Sequence, residues 1–510
     1  MASIITDKLR ILNANNFISG ISSDVNSYYV WVGLTTPTET VSTWNTTPPA
    51  PKDNLQEDND YWDTMLSMSR LQSANVAQVV RRYTWTSGTV YDMYRHDYSR
   101  SNPSNVSGST HLYEARYFVV NSDYRVYICL HNGTDPDNIS GKQSLNEPTF
   151  VDLEPRAAGS DGYIWKYLFT IKPNDIIKFQ TDHFTPLPVD WSTNSDVATV
   201  RDNAATSGQL KVVTITNRGV GYGTAGTYTG VPIKGDGNGA KASVTVNPDG
   251  KIQSIDVSDG GTGYTYGTVD MAAAGLNGTT PAVFNVIIPP TGGHGADIYD
   301  ELGANRIMVY SKLENSDTNP DFITGNVFSR IGIVKDPQVY ASTDKLTSSQ
   351  ASTLSALKLD VSSVSGVTFT ANTTITQTVG VGSTAVGRVV SWDATTGVLK
   401  YWQDKRVATS ATTGVDPKFG YELLEFTSSP PTGGSVTIVG GSTNLGIHTT
   451  YSGVSTVINN KTYYLGQEFT DGVSNPEVKK YSGDIIYVDN RPSITRSSSQ
   501  KEEIKVILEF

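Results

Sequence analysis

The sequence predicts a mainly β protein. Three observations carry that expectation. The chain of 510 residues holds 46 Gly and 27 Tyr with abundant Thr and Val, a composition that favours strands joined by tight turns. Short apolar runs alternate with polar turn strings. Helical spacing of apolar residues shows at only a few places.

Near the start, "MASIITDKLRILNANNF" places Ile5, Leu9 and Leu12 at i, i+4, i+7, which predicts an amphipathic helix capped by Thr6 or Ser3. A strand "SYYVWVG" follows, then a Thr/Pro loop through "TTPPAPKDN", where Pro48 and Pro49 exclude helix. A second helix is expected around Tyr61–Leu71, presenting Trp62, Met65 and Leu66 on one face. "HLYEARYFVV" and "YRVYICLH" are separated by "NSD" and read as a hairpin. "DGYIWKYLFTI" reads as a strand with aromatic residues on both faces, buried between layers.

Near residue 205 the texture changes. "LKVVTITNRGVGYGTAGTY" and "IQSIDVSDGGTGYTYGTV" form an internal repeat at an offset of 42 residues, with Gly219-Val220-Gly221-Tyr222 matching Gly261-Thr262-Gly263-Tyr264. Two units are too few for a solenoid, so the stretch reads as one small β-domain with internal pseudo-symmetry, limited at about 206 and 290. A third texture, rich in Ser, Thr, Val and Gly, runs from about 345 to 475, with a last helix signal in "SSQASTLSALKL". It contains the hairpin "GRVVSWDATTGVLKYWQD" and the strand "GGSVTIVGGS". The ending, "SGDIIYVDNRPSITRSSSQKEEIKVILEF", has two β-branched runs around a polar connector. Its second run reaches Phe510, which predicts a final strand tied into a sheet.

Length allows roughly two to four domains at about 150 residues each. Net charge is −11, from 39 basic and 50 acidic residues, so neither nucleic acid nor an anionic membrane is an expected partner. The single cysteine, Cys129, excludes an intrachain disulfide and sits in an apolar run, where a buried inert thiol is expected. No disulfide framework fits folding in a reducing compartment. Asp7, Lys8 and Arg10 break any signal-peptide core, and no apolar run approaches the roughly 18–20 residues of a membrane span.

Site chemistry is sparse. "GVGYG" and "GDGNGAK" lack the Lys-Ser/Thr of a phosphate loop and read as turns. Asp236 and Asn238 have no bidentate Glu downstream for calcium. The six histidines are scattered without ligand spacing, and "GGHGAD" around His294 reads as a tight turn. No G-x-S-x-G elbow occurs, and Glu502 and Glu503, adjacent in a strand, point to opposite faces. No catalytic, metal or cofactor-binding residue is expected. "VVRRYTWTSGTVYDMYRHDY" interleaves Arg81, Arg82 and Arg95 with Tyr83, Trp85, Tyr91, Tyr94 and Tyr98. That pattern serves core packing, a subunit contact or, on a basic protein, single-stranded nucleic acid.

Several of these strings resemble one family. "SGDIIYVDNRP" with the final "EEI" strand, "DGYIWKYLFTIKPND", "VVRRYTW" and, more loosely, "YYVWVG" and "VFSRIGIVKDP" are similar to the baseplate wedge subunit of T-even-like contractile-tailed bacteriophages, the gene-eight-product type. The resemblance spans about 1–205, 290–345 and 475–510; the stretches 206–290 and 345–475 depart from it and read as two β-insertions. It implies a β-sandwich-like core and a non-enzymatic structural subunit without cofactor or metal. It further implies a homodimer that joins other baseplate wedge proteins, in a virion tail assembled in the host cytoplasm. Candidate subunit-interface residues are Arg81, Arg82, Trp85, Tyr91 and Tyr94, with Asn490, Arg491 and Pro492 as a rigid turn. The alternative is a tail-surface adhesin whose insertions bind host glycans, with Trp392, Tyr401 and Trp402 stacking on sugars.

Overall fold

The computed structural model describes residues 4–23, 25–35, 41–204, 208–313, 327–362, 366–403, 424–495 and 502–510. The fold is mainly β, built from antiparallel sheets with few and mostly short helices. The chain divides into two compact units, each assembled from separated segments: 1–18, 76–308 and 506–510 form one, and 19–75 with 309–505 the other.

In the first unit, the predicted hairpin forms. Phe118–Val120 and Arg125–Asn132 pair across Tyr124, whose positive φ of 58° turns the chain. Tyr163–Thr170 lies on the other side of Arg125–Asn132, and its short partner Arg156–Ala157 completes four strands. Aromatic residues fill both faces of this sheet: Tyr163 and Trp165 are fully buried, as are Tyr117 and Tyr127. Cys129 is buried among them, and burial holds its thiol pKa well above the usual value. Another four-stranded sheet, not confined to the segments of this unit, has the order Glu502–Glu509, Arg306–Leu313, Val76–Arg81, Phe184–Pro186. The expected terminal strand is thus an edge of this sheet. Phe510 N–H donates to the carbonyl of Asn305 (3.1 Å), Arg10 donates to the backbone oxygen of Phe510 (3.0 Å), and Arg306 pairs with Glu509 (2.5 Å).

The 42-residue repeat is a pseudo-two-fold exchange. Strand Val212–Asn217 of the first repeat pairs with Val283–Ile287 of the second, and Ile252–Asp259 of the second pairs with Lys241–Val246 of the first. The registers correspond pair for pair: Val283↔Asn217 matches Lys241↔Asp259, and Val286↔Val213 matches Val244↔Ile255. Gly219 and Gly261 take φ of 59° and 58°, a left-handed turn that disfavours a side chain. Asn217 and Asp259 each accept the N–H of the glycine two residues on, at 2.9 and 3.0 Å. The module closes over its own apolar cluster, including Val231, Val244, Ile252 and Val286.

In the second unit, Tyr28–Gly33 is buried along its whole length at the centre of a five-stranded sheet ordered Gln350–Ser352, Met65–Arg70, Tyr28–Gly33, Val327–Lys335, Asp484–Thr495. Trp31 pairs with Gly332. A Cβ at Gly332 would lie 2.3 Å from the Trp31 ring, so the indole lies where only glycine leaves room. A seven-stranded sheet holds the predicted Ser383–Asp393/Val398–Trp402 hairpin and the strand Thr437–Gly440. A two-stranded ribbon, Gly453–Ile458 with Lys461–Phe469, turns at Asn459 and Asn460, both at positive φ.

Several expectations are corrected. The second helix runs over Leu55–Thr64 and stops, and Met65–Arg70 is a strand. Pairing with Tyr28–Gly33 buries Met65, Leu66 and Met68 and overrides the local helical spacing. "SSQASTLSALKL" forms the strands Gln350–Ser352 and Ser355–Lys358 rather than helix. The first helix, Asp7–Ser22, buries Ile11, Ala14 and Ile21, while Ile5, Leu9 and Leu12 are exposed at 62%, 46% and 51%. Thr6 Oγ1 accepts the N–H of Leu9 at its start; Ser3 lies outside the described residues.

Candidate functional site

The Arg/aromatic segment is sorted by burial. Val76–Arg81 is a strand paired with Phe184–Pro186, which leaves Arg81 exposed at its end. Arg82 is half-buried and donates to the carbonyl of Thr181 (3.1 Å). Trp85 packs on the core edge with its Nε1–H on Ser144 Oγ (3.0 Å). Tyr91 and Tyr94 are 3% and 4% exposed, which removes them from any surface of the single chain and corrects their candidacy. Tyr91 lies edge-on to Trp165 (5.9 Å) and accepts the N–H of Thr86 (2.7 Å); Tyr94 lies edge-on to His294 (4.7 Å). Aromatic alternation here fills an interior because both faces of the neighbouring strands are covered.

Asn490, Arg491 and Pro492 lie within the strand Asp484–Thr495 and not in a turn. Register shifts between Phe328 and Arg330, so the extra residues around Pro492 form a bulge, the place within a sheet where a missing N–H costs least. The bulge is anchored by its neighbours. Trp44 Nε1–H donates to the carbonyl of Arg491 (2.7 Å), Asn490 donates to Pro49 (2.9 Å), and Ser493 N–H to Asn45 Oδ1 (2.8 Å). Arg491 and Pro492 remain exposed.

Beneath this bulge sits Arg330, 1% exposed. Its guanidinium lies 5.3 Å from the Trp44 ring centre and 5.1 Å from that of Tyr61, and it donates to Thr64 Oγ1 (2.8 Å). Sequence reading passed over it, although a lone arginine inside the apolar run "VFSRIGIV" is the signal of a buried cation needing partners.

The first unit holds a parallel case in "YIWKYLF". Lys166, 1% exposed, donates to the carbonyl of Leu153 (2.7 Å) and to Asn203 Oδ1 (2.9 Å). Burial pulls its pKa down to about 8, with Glu301 and Glu154 opposing. Glu301 is buried and receives His294 Nδ1 at 2.6 Å and the N–H of Gly295 at 2.7 Å. The "GGHGAD" string is therefore a turn whose histidine is held by a buried carboxylate, and Trp191 Nε1–H caps it on the Ala296 carbonyl (3.0 Å).

The rings named for glycan stacking are placed otherwise than expected. Tyr401 and Trp402 are 3% and 2% exposed, and Trp392 packs edge-on against Phe369 at 5.1 Å. Their hairpin is inside the seven-stranded sheet and turns these rings inward. Asp236 accepts the N–H groups of Thr265 (2.9 Å) and Tyr266 (3.2 Å), which fixes a turn. Among the described residues, no group of three or more His, Cys, Asp or Glu is placed to hold a metal ion, and no helix is long and apolar enough to cross a membrane.

Fold and site together define a mainly β protein with two discontinuous units, each with a buried cation that donates hydrogen bonds inside its own unit. No family model matches the chain, and no curated protein matches it significantly.

Proposed function

We propose that the protein is a structural, non-enzymatic subunit of a phage tail baseplate wedge, homodimeric and joined to other wedge proteins. The observation that carries this reading is the apolar flank of the first helix. Leu9 and Leu12 stand exposed on one side of the helix Asp7–Ser22, with Ile5 exposed just ahead of it, while Ile11 and Ala14 are buried on the other side. Exposed leucines at i, i+3 on one helix face are side chains that a second chain could cover. The strings that resemble the wedge family support the reading in a second way. "VVRRYTW", "DGYIWKYLFTIKPND" and "IYVDNRP" supply the strands Val76–Arg81, Tyr163–Thr170 and Asp484–Thr495, so the likeness falls on framework elements of both units. The same proposal places the protein in the virion, after assembly in the host cytoplasm.

The test is assembly in a phage lacking this chain. Electron microscopy of the lysate should show no complete baseplates, and supplying the chain with Leu9→Asp and Leu12→Asp should leave the defect in place. Complete tails that fail only to adsorb to cells would sink the wedge reading and favour an adhesin.

A further inference from the structure

We propose that the cleft between the repeat module and the loops spanning residues 92–106 and 132–139 is a binding site for a neutral sugar, one monosaccharide unit of a glycan. This goes beyond the wedge reading and does not depend on it. The cleft encloses about 450 Å³, within the roughly 300–1,000 Å³ of small-molecule sites.

Its walls are pinned on both sides. Asn285 of the module donates to Asp97 (3.3 Å), and Ile288 N–H donates to His96 Nδ1 (3.2 Å). Burial lowers the His96 pKa, which favours the neutral ring that this hydrogen bond requires. On the other side Arg218 pairs with Asp137 at 2.9 Å. A cleft held this way is organised before a ligand arrives, which lowers the ordering cost of binding.

The groups facing the space have a definite chemistry. Arg95 is held by Nε on Asp97 Oδ1 (2.8 Å) and by its stack over Tyr98 (4.9 Å), and its side chain is 13% exposed. Its terminal amino groups donate to no acceptor among the described residues. Asp97 Oδ2 takes Asn102 Nδ2 (2.8 Å) as well as Asn285. The amide oxygens of Asn102 and Asn285 then receive no donor among the described residues. Phe284 and Ile215 add an apolar side. Donors and acceptors therefore line one cleft together with apolar side chains, and a hydroxyl-bearing ring is a ligand that both donates and accepts.

Charge argues for neutrality. Asp92, Asp97 and Asp135 line the space with Arg95, so a free anion meets three carboxylates. A cation meets the guanidinium, and the carboxylates are already engaged. Asp92 takes Ser104 and the N–H of Arg116; Asp135 takes the N–H groups of Asp137 (2.8 Å) and Asn138 (3.0 Å) beside Lys142 (3.6 Å).

The test uses the full chain and saturation-transfer NMR with glucose, galactose, mannose, N-acetylglucosamine and N-acetylgalactosamine, each alone. At least one should bind. Asn102→Ala, an exposed position, and Asn285→Leu should each weaken that binding about tenfold, the size of one lost hydrogen bond. Binding of none of the five overturns the proposal. So does equal binding by both variants, or displacement of the sugar by phosphate or glucuronate, which would make the site an anion site. Circular dichroism on each variant shows that the fold is retained, and Asn102→Ala decides the matter should Asn285→Leu unfold.

Discussion

Tyr222 and Tyr264 stand 42 residues apart and make the same hydrogen bond across the repeat. Each phenol oxygen accepts the N–H of an alanine from the opposite copy, Ala282 at 2.6 Å and Ala240 at 3.1 Å. Bridges between Val220 and Thr280, and between Asn238 and Thr262, repeat the exchange one step away. Each copy thus completes the other, in the manner of a swapped dimer carried on one chain.

Replacing either phenol tests this. Tyr222→Phe removes one acceptor and should cost about 1 kcal/mol. Tyr264→Phe should cost more, about 1–3 kcal/mol, because its hydroxyl also donates to the buried Ile233 carbonyl (2.9 Å). Hydrogen exchange should speed up at Ala282 in the first variant and at Ala240 in the second. Wild-type exchange at both sites would show that the bonds do not hold the copies together.

Arg330 and Trp44 should be coupled. Trp44→Phe keeps a ring over the guanidinium but loses the bond to the Arg491 carbonyl, a cost of about 1 kcal/mol. Arg330→Lys loses the planar fork between two rings and should cost about 2 kcal/mol. In a double-mutant cycle measured by urea unfolding, the two changes should fall short of additivity. Strict additivity would separate the bulge from the cation beneath it.

Lys166 gives a pH dependence with a definite sign. Its folded pKa of about 8 lies below the usual lysine value of 10.5 because burial disfavours the charged form. Below pH 8 both states carry the proton and the folded state bears the full penalty. Between about 8 and 10.5 the unfolded state holds more protons, so this group's contribution to stability rises with pH. Buried tyrosines such as Tyr29, raised to about 12, and Cys129 act in the opposite sense above their unfolded pKa values. The difference between wild type and Lys166→Met isolates the lysine. Wild type should gain on the variant from pH 8 to 10; a flat difference would place the ammonium in contact with water.

Cys129 should resist modification. With its thiol buried and its pKa raised, a disulfide reagent should label the native chain negligibly and the urea-unfolded chain stoichiometrically. Rapid native labelling would mean that the sheet around it opens readily.

Much of the fold was legible because its signals are local. The "NSD" hairpin, the Asp393–Gly397 turn and the 42-residue repeat are each written within a few residues, as turn chemistry or as self-similarity. Met65–Arg70 was misread because Trp62, Met65 and Leu66 satisfy a helical period as well as a buried strand. For the site, Arg81, Arg82 and Trp85 lie at least partly at the surface, whereas Tyr91 and Tyr94 do not. Residue type alone gives the same string for an interface and for an aromatic core. The Asn490-Arg491-Pro492 string suits a rigid turn, yet a bulge in a paired strand accommodates Pro492 equally well.

By itself the sequence determined the β-rich class, the buried cysteine, the strand at 502–509 and the existence of a repeat, since composition, alternation and periodicity are properties of neighbouring residues. Tertiary structure alone decided that the repeats exchange strands, that Arg330 lies between Trp44 and Tyr61, and that Arg95, Asn102 and Asn285 share one cleft. Each of these joins residues far apart along the chain. Such meetings depend on how strands pair and which faces are covered, and burial energy summed over the whole core sets that choice.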